Sequence, residues 1–155
     1  MQMILRFILF LAINFAGLAI GSFFTTAVTE PWYLGLLKAP WTPPGWVFGA
    51  AWILIMVCFS AFLAKAYKED EGTVRKEFIL VFSGAWVLNV IWNPVFFHFH
   101  KVTMGLFIIS LLALFVFRFF QNGIRDMKWE WVLILPYLIW ILIATSLNFY
   151  IVLYN

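Results

Sequence analysis

The sequence contains few charged residues. Asp, Glu, Lys and Arg make up 11% of its 155 residues, whereas 65% are hydrophobic and 21% are aromatic. A soluble domain normally has about a quarter charged residues, and the mean hydropathy here is +0.99. This composition excludes a soluble globular protein and predicts an integral membrane protein surrounded by the lipid bilayer.

The signatures of common catalytic and metal sites are also missing. Cys58 is the only cysteine, which excludes an internal disulfide and a multi-cysteine metal site. The chain has no glycine-rich phosphate loop and no G-x-S-x-G motif. His98 and His100 are two residues apart, so their side chains do not face each other on a helix, and we interpret them as interfacial residues rather than metal or haem ligands. No ionisable residue lies in the middle of an apolar segment, which argues against a transporter driven by ions or protons.

Five apolar segments are long enough to cross a bilayer, which takes about 20 residues in a helix. The connections between them are short, so residues 1–155 are expected to form a single integral membrane domain, an all-α bundle of five transmembrane helices. The first segment is longer than a signal-peptide core and contains spaced glycines, which favours a retained helix. The segments lie near residues 7–28, 46–64, 78–97, 102–120 and 131–153.

Basic residues are distributed unevenly between the two ends of these segments. Only Lys38 and Lys101 fall on one side, and the positive-inside rule therefore predicts a cytoplasmic N-terminus in a bacterial cell membrane, with the first loop and the C-terminus outside. The same bias accounts for the net charge of +3, which is therefore no evidence for nucleic-acid binding. The other side carries Arg6, Lys65, Lys68, Arg75, Lys76, Arg118, Arg125 and Lys128.

Uncharged polar residues recur at helical spacing inside the apolar segments. In the third segment, Trp86, Asn89 and Asn93 lie on one helix face and Pro94 follows directly. Pro94 has no backbone N–H, so it leaves a carbonyl free one turn back and predicts a kink beside the two amides. Helix packing alone also uses such residues, so a polar site and a packing role both remain open here.

Trp52 and Trp140 lie deeper in their segments than the tryptophans that mark a membrane interface. Gly45 and Gly49 share a helix face with Trp52, and Ala144 shares one with Trp140. Small residues beside a large flat indole leave room for another flat body. These two stripes therefore predict a ligand cavity inside the bundle.

The connection between the first two segments is rich in proline and tryptophan. Pro40, Pro43 and Pro44 exclude a regular helix, so residues 34–45 are expected to form an ordered, stiff loop. The loop is too apolar to lie in water. We expect it to fold over the outer mouth of the bundle as a lid.

Three ordered motifs resemble the tryptophan-rich sensory protein family, the bacterial branch of the translocator protein or peripheral benzodiazepine receptor. They are WTPPGWVFG at residues 41–49, NVIWNPVFF at 89–97, and PYLIW at 136–140 followed by ATSLNF at 144–149. The resemblance implies a five-helix bundle, commonly a homodimer, that binds porphyrins such as protoporphyrin IX and synthetic benzodiazepine-site ligands. Eukaryotic members also bind sterols, but the terminal sterol motif is incomplete here because no Lys or Arg follows Tyr150.

The resemblance also implies which residues line the pocket. Light-dependent porphyrin breakdown, an activity of bacterial members, would place the chemistry on the indoles of Trp52 and Trp140, without a metal or a covalent cofactor. In the fourth segment, Ser110 is the only hydrogen-bonding side chain between Leu106 and Phe117 and lies one turn from Ala113. On the basis of helix faces alone, we add Ser110, Ala113 and Ser22 to the ligand-binding set. The residues carried over by motif are Tyr33, Pro43, Phe48, Trp52, Asn93, Phe96, Trp140, Ala144 and Leu147.

Two questions remain open at the level of sequence. The pocket fits a tetrapyrrole sensor that promotes light- and oxygen-dependent degradation of its ligand, but it also fits a transporter of porphyrin-like molecules or a scaffold with an incidental pocket. Gly17 and Gly21 form a G-x-x-x-G pair that permits close helix approach, either between two copies of the chain or within one bundle.

Overall fold

Long helices make up nearly all of the computed structural model, which describes residues 1–25, 31–67 and 72–155. No strand occurs in these residues. Five helical segments are long and apolar enough to cross a membrane, which confirms the predicted all-α bundle. The helices are α1 Gln2–Thr25, α2 Pro31–Gly35, α3 Gly45–Ala66, α4 Gly72–Asn93, α5 Val102–Asp126 and α6 Leu135–Tyr154, with a π-helical turn Pro94–His98 after α4 and a 3-10 turn Glu130–Ile134 before α6.

The helices extend beyond the apolar segments at the end that carries most of the charge. α1 begins at Gln2 and so includes Arg6, and α5 continues through Arg125 to Asp126. Hydropathy detects only the part of a helix that suits hydrocarbon, whereas backbone hydrogen bonding continues into the interface, where long charged side chains reach water. The predicted segments therefore mark the membrane-embedded parts of longer helices.

Pro94 changes the helix type at the end of the third span. Regular α-helix ends at Asn93, and the chain continues as the π-helical turn Pro94–His98. The Phe99 N–H donates to the Pro94 carbonyl at 2.9 Å, and the Lys101 N–H donates to the Val95 carbonyl at 3.0 Å. The kink predicted at Pro94 therefore takes the form of a widened turn, as expected where proline interrupts the helical ladder.

A solid aromatic core fills one half of the bundle. α1 packs against α3 and α4, α5 against α4 and α6, and α3 against α6. The ring of Phe59 lies 5.4 Å from Phe119 and 5.2 Å from Tyr137, both in edge-to-face geometry. The buried residues of α3 begin at Ile55, at the middle of the helix. Before Ile55, side chains such as Phe48 and Trp52 pack against the edge of the core but are only partly buried, and the cavity lies beside them.

Ion pairs hold the end of the bundle next to this core. Lys65 bonds Glu130 at 3.0 Å and joins the end of α3 to the start of the last span. Arg118 bonds Glu77 at 2.7 Å and joins α5 to α4. Ion pairs that water can reach contribute about 0.2–1 kcal/mol each, so these two pairs stabilise the contacts between their helices only modestly.

Gly17 and Gly21 serve packing within one chain. A Cβ added at Gly17 would lie 2.6 Å from Nε1 of Trp86, and one added at Gly21 would lie 2.6 Å from Nδ2 of Asn93. The Trp86 indole also donates to the Ile13 carbonyl at 2.9 Å. α4 therefore occupies the glycine face of α1, and this face is not available as the seam of a dimer.

We expect Gly17→Ala to destabilise the bundle, because the added methyl group clashes with an indole that its hydrogen bond to Ile13 holds in place. Overpacking of this kind lowers the free energy of unfolding by about 1–3 kcal/mol. The matched control is Gly49→Ala in α3, where nothing lies within 4 Å of the new Cβ. Thermal unfolding in detergent, followed by circular dichroism, compares the two. Equal midpoints would show that the close contact between α1 and α4 is unimportant for stability.

Candidate functional site

A cavity of about 660 Å³ lies in the half of the bundle opposite the ion pairs. It is bounded by the last turns of α1, the first half of α3, the end of α4 with its π-helical turn, and the second half of α6. α2 and the following loop form its remaining wall. Its lining residues are Gly17, Leu18, Ser22, Thr25, Tyr33, Lys38, Thr42, Pro43, Gly45, Phe48, Gly49, Trp52, Ile53, Asn89, Trp92, Asn93, Phe96, Phe97, Ala144, Leu147, Asn148 and Ile151.

Most of the residues predicted to bind ligand lie together on this wall. They come from five separate parts of the chain, and the fold brings them to one cavity. Their role in binding stays a prediction. The predicted residues found on the wall are Ser22, Tyr33, Pro43, Phe48, Trp52, Asn93, Phe96, Ala144 and Leu147.

Ser110 and Ala113 do not line the cavity, because α5 does not reach it. A Cβ added at Gly105 of α5 would lie 3.1 Å from the ring of Phe96 and 3.3 Å from Oδ1 of Asn148. These two side chains stand between α5 and the cavity. Ala113 packs against the aromatic core instead. Helical spacing placed these two residues on one side of α5, but it did not indicate what that side contacts.

Trp140 also lies behind the wall rather than on it. Its side chain is buried, and its ring is 5.3 Å from that of Phe48 at an interplanar angle of 83°. Phe48 is the residue that lines the cavity. Of the two indoles predicted to carry chemistry, only Trp52 borders the space where a ligand would sit.

The proline-rich loop is anchored to the end of α6. The Leu37 N–H donates to Oδ1 of Asn155 at 2.9 Å, and Nδ2 of Asn155 donates to the Leu37 carbonyl at 3.2 Å. The Trp41 indole donates to Oγ of Ser146 at 3.1 Å, and its ring meets Tyr150 edge to face at 5.6 Å. These contacts place residues 38–43 against the cavity.

Aromatic rings form one wall of the cavity. Trp92 stacks on Phe96 with ring centroids 5.0 Å apart and an interplanar angle of 17°. Phe97 meets Phe96 at 4.9 Å and Tyr33 at 5.4 Å, both edge to face. Trp52 contacts Tyr137 of the core at 6.0 Å. Such a wall offers flat apolar faces to a flat apolar ligand.

The polar groups of the wall are mostly paired within the protein. Asn148 accepts from the Trp92 indole at 3.2 Å and donates to the Val102 carbonyl at 3.2 Å. Asn93 donates to the Asn89 carbonyl at 3.4 Å. Burial raises the pKa of the Tyr33 hydroxyl, which therefore stays neutral. Among the described lining residues, Lys38 is the only one that carries a charge at neutral pH.

Several lining residues were not in the predicted set. Asn89 and Asn148 had a sequence signal, since both lie on the polar stripes of their spans. Lys38 was noted only as one of the two basic residues on its side of the membrane, and its place at the cavity depends on how the loop docks on α6. The two histidines lie outside the cavity: both side chains are exposed, and His100 stacks on Trp32 with centroids 3.9 Å apart. Within the described residues, no group of three His, Cys, Asp or Glu side chains could hold a metal ion.

Comparisons with known proteins agree with the family resemblance of the motifs. The model of the TspO/MBR family matches residues 9–154. The Tryptophan-rich protein TspO of Archaeoglobus fulgidus is 36% identical over 94% of this chain and 91% of its own. The Tryptophan-rich sensory protein of Cereibacter sphaeroides is 35% identical over 81% and 78% of the two chains. The Translocator protein of Homo sapiens is 29% identical over 86% and 80%. Because the match extends over almost the whole sequence, this chain belongs to the TspO/MBR family.

Proposed function

We propose that this protein is a membrane receptor that binds tetrapyrroles such as protoporphyrin IX in the cavity and promotes their light- and oxygen-dependent degradation. The observation that carries the proposal is the cavity itself, about 660 Å³ in volume and walled by flat rings. Ligand sites of drug-sized molecules are typically about 300–1,000 Å³ and mostly apolar. Synthetic benzodiazepine-site ligands, which are also flat and apolar, are expected to compete for the same space.

The composition of the wall suits a reaction that needs no acid or base. Trp52 lies on the wall, and its indole N–H makes no hydrogen bond to a described residue. Light excites a bound porphyrin, and the excited ring reacts with dioxygen. An indole in contact with the ring can donate an electron to the excited porphyrin or react itself, since indoles are the most easily oxidised side chains on this wall. Trp52 and Trp92 both line it. The role of the protein is to hold ring and indole together.

The relatives' names support a role in sensing or translocation. One is called a sensory protein and another a translocator protein. A carrier would move porphyrin across a bilayer in the dark, whereas a sensor that degrades its ligand would only retain and consume it. No described lining residue is an acidic group that could couple movement to protons, which argues against a proton-driven transporter but not against passive movement. We favour degradation, and a flux measurement separates it from passive transport.

Spectral titration of the purified protein with protoporphyrin IX tests the proposal. We expect a saturable shift of the porphyrin absorption band, and a loss of that band under light that requires both the protein and oxygen. Proteoliposomes loaded with the same porphyrin provide the comparison. Rapid efflux in the dark without any bleaching under light would instead identify a carrier.

The membrane orientation and the oligomeric state belong to the same proposal. The charge bias predicts a cytoplasmic N-terminus and an external cavity mouth in the cell membrane, and a C-terminal reporter enzyme that is active only outside the cytoplasm would test this.

A homodimer is expected from the family resemblance. Its seam would use another lipid-facing surface, because α4 covers the glycine face of α1. Cross-linking in detergent that yields only monomer would argue against a dimer.

A further inference from the structure

Lys38 is an unusual residue at the edge of an otherwise apolar cavity. It lines the cavity and is partly buried. Its ammonium group lies 4.7 Å from the centroid of the Tyr33 ring, and Nζ lies 3.5 Å from the Leu34 carbonyl. It forms no ion pair with any residue in the described ranges. By contrast, Lys65 at the opposite end of the bundle is paired with Glu130 at 3.0 Å.

Among the described residues, the ammonium group of Lys38 has only a ring and one distant carbonyl oxygen as partners. A cation beside apolar surface is disfavoured unless it is paired, and the hydrogen bond to Leu34 is at the limit of its length. The ring of Tyr33 compensates only in part, because a cation–π contact leaves the N–H groups free to bond elsewhere. An anionic group of a bound ligand would supply the missing hydrogen-bond acceptor for the ammonium group of Lys38.

The hydroxyl groups nearby cannot donate to such an anion. Ser22 donates to the Ala19 carbonyl at 2.7 Å, and Thr25 donates to the Ser22 carbonyl at 2.9 Å. Thr42, on the loop beside Lys38, donates to the Ala39 carbonyl at 2.7 Å. Each hydroxyl therefore presents only lone pairs to the cavity. An anion at this edge would depend on the ammonium group of Lys38, with the Tyr33 hydroxyl as a further donor.

We propose that Lys38 recognises a carboxylate of the ligand, so that the cavity selects flat apolar acids over the corresponding neutral esters. This inference rests on the proposed function and deepens it. The flat body would occupy the aromatic interior, and the carboxylate would remain at the mouth near the docked loop. Charge-assisted hydrogen bonds between ammonium and carboxylate are stronger than neutral ones, which makes the charge a basis for selection.

The experiment compares protoporphyrin IX, which carries two carboxylates, with its dimethyl ester, which carries none. Affinities are measured by fluorescence titration for the wild type, Lys38→Gln, Lys38→Arg and Lys101→Gln. Lys101 is a matched control, since it is an exposed cation at the same end of the bundle and does not line the cavity. We expect Lys38→Gln to weaken binding of the free acid about ten-fold, as loss of a charged hydrogen bond implies. Binding of the ester should be unchanged, and Lys38→Arg and Lys101→Gln should bind the acid like the wild type.

Other results would overturn the inference in recognisable ways. Equal weakening for acid and ester would mean that Lys38 only holds the loop in place, and unchanged binding of both by Lys38→Gln would mean that it does not meet the ligand. Either result leaves the proposed function intact. If the wild type bound neither porphyrin, the proposed function itself would fail, and the inference with it. Circular dichroism spectra verify that each variant is folded.

Discussion

Ala144→Phe is expected to abolish porphyrin binding. Ala144 lies on α6 where that helix borders the cavity, and it is one of the small residues that leave the interior open. A phenyl ring at this position would project into the space between α6 and the opposite wall formed by α3. We expect the affinity to fall by about a hundred-fold or more, which corresponds to ~2.7 kcal/mol of binding free energy. Spectral titration with protoporphyrin IX measures the change.

Ala12→Phe provides the control for this substitution. Ala12 lies on α1 with its side chain exposed toward lipid, away from the cavity. The same added ring there should leave both binding and thermal stability unchanged, because lipid tails accommodate it. If Ala144→Phe bound porphyrin as tightly as Ala12→Phe does, the tetrapyrrole site would lie outside the cavity.

Trp52→Phe is expected to separate binding from degradation. Phenylalanine keeps a flat apolar face on the wall, so the affinity should stay within about three-fold of the wild type. The more easily oxidised indole is removed, and we expect the rate of porphyrin loss under light to fall about ten-fold or more, equivalent to ~1.4 kcal/mol. Spectral titration in darkness gives the affinity, and porphyrin absorbance followed over time in light and in darkness gives the rate of degradation.

Because Trp140 lies behind the cavity wall, replacing it is expected to affect porphyrin degradation less than replacing Trp52. Phe48 separates the Trp140 ring from the cavity, so Trp140→Phe should slow degradation less than Trp52→Phe does. Replacing His98 and His100 with Ala should change neither binding nor degradation, since neither side chain lines the cavity. Bleaching as fast as wild type in Trp52→Phe would show that Trp52 is not the reacting indole, and Trp92→Phe would then be the variant to measure, because Trp92 also lines the cavity. Equally fast bleaching in both variants, or loss of bleaching in the histidine variant, would refute an indole-based reaction.

The positions of individual site residues could be predicted to different degrees. Pro43 and Phe48 come from one motif that runs into the start of α3, and Trp52 follows one turn after Phe48, so local order along the chain was enough to place them together. Asn93 and Phe96 lie on either side of Pro94, whose effect on the backbone is local. Ser110 and Ala113 were placed by helical spacing alone, which indicates what shares a face but not what that face contacts.

The sequence by itself determined the membrane class, the number of spans and the end of the bundle that carries the charges. These features depend on the transfer of each side chain between water and hydrocarbon, which is a local property. Only the tertiary structure decided that α4 covers the glycines of α1, that Phe48 shields Trp140, and that Lys38 borders the cavity. The physical reason is that lipid is as apolar as the interior of the bundle, so hydrophobicity does not distinguish a buried face from a lipid-facing one. Large residues such as Leu5, Phe23 and Phe107 are exposed here, whereas the similar Phe62 and Leu63 are buried. Side-chain packing and a few hydrogen bonds between helices decide which faces are buried, and these contacts form only when the helices associate.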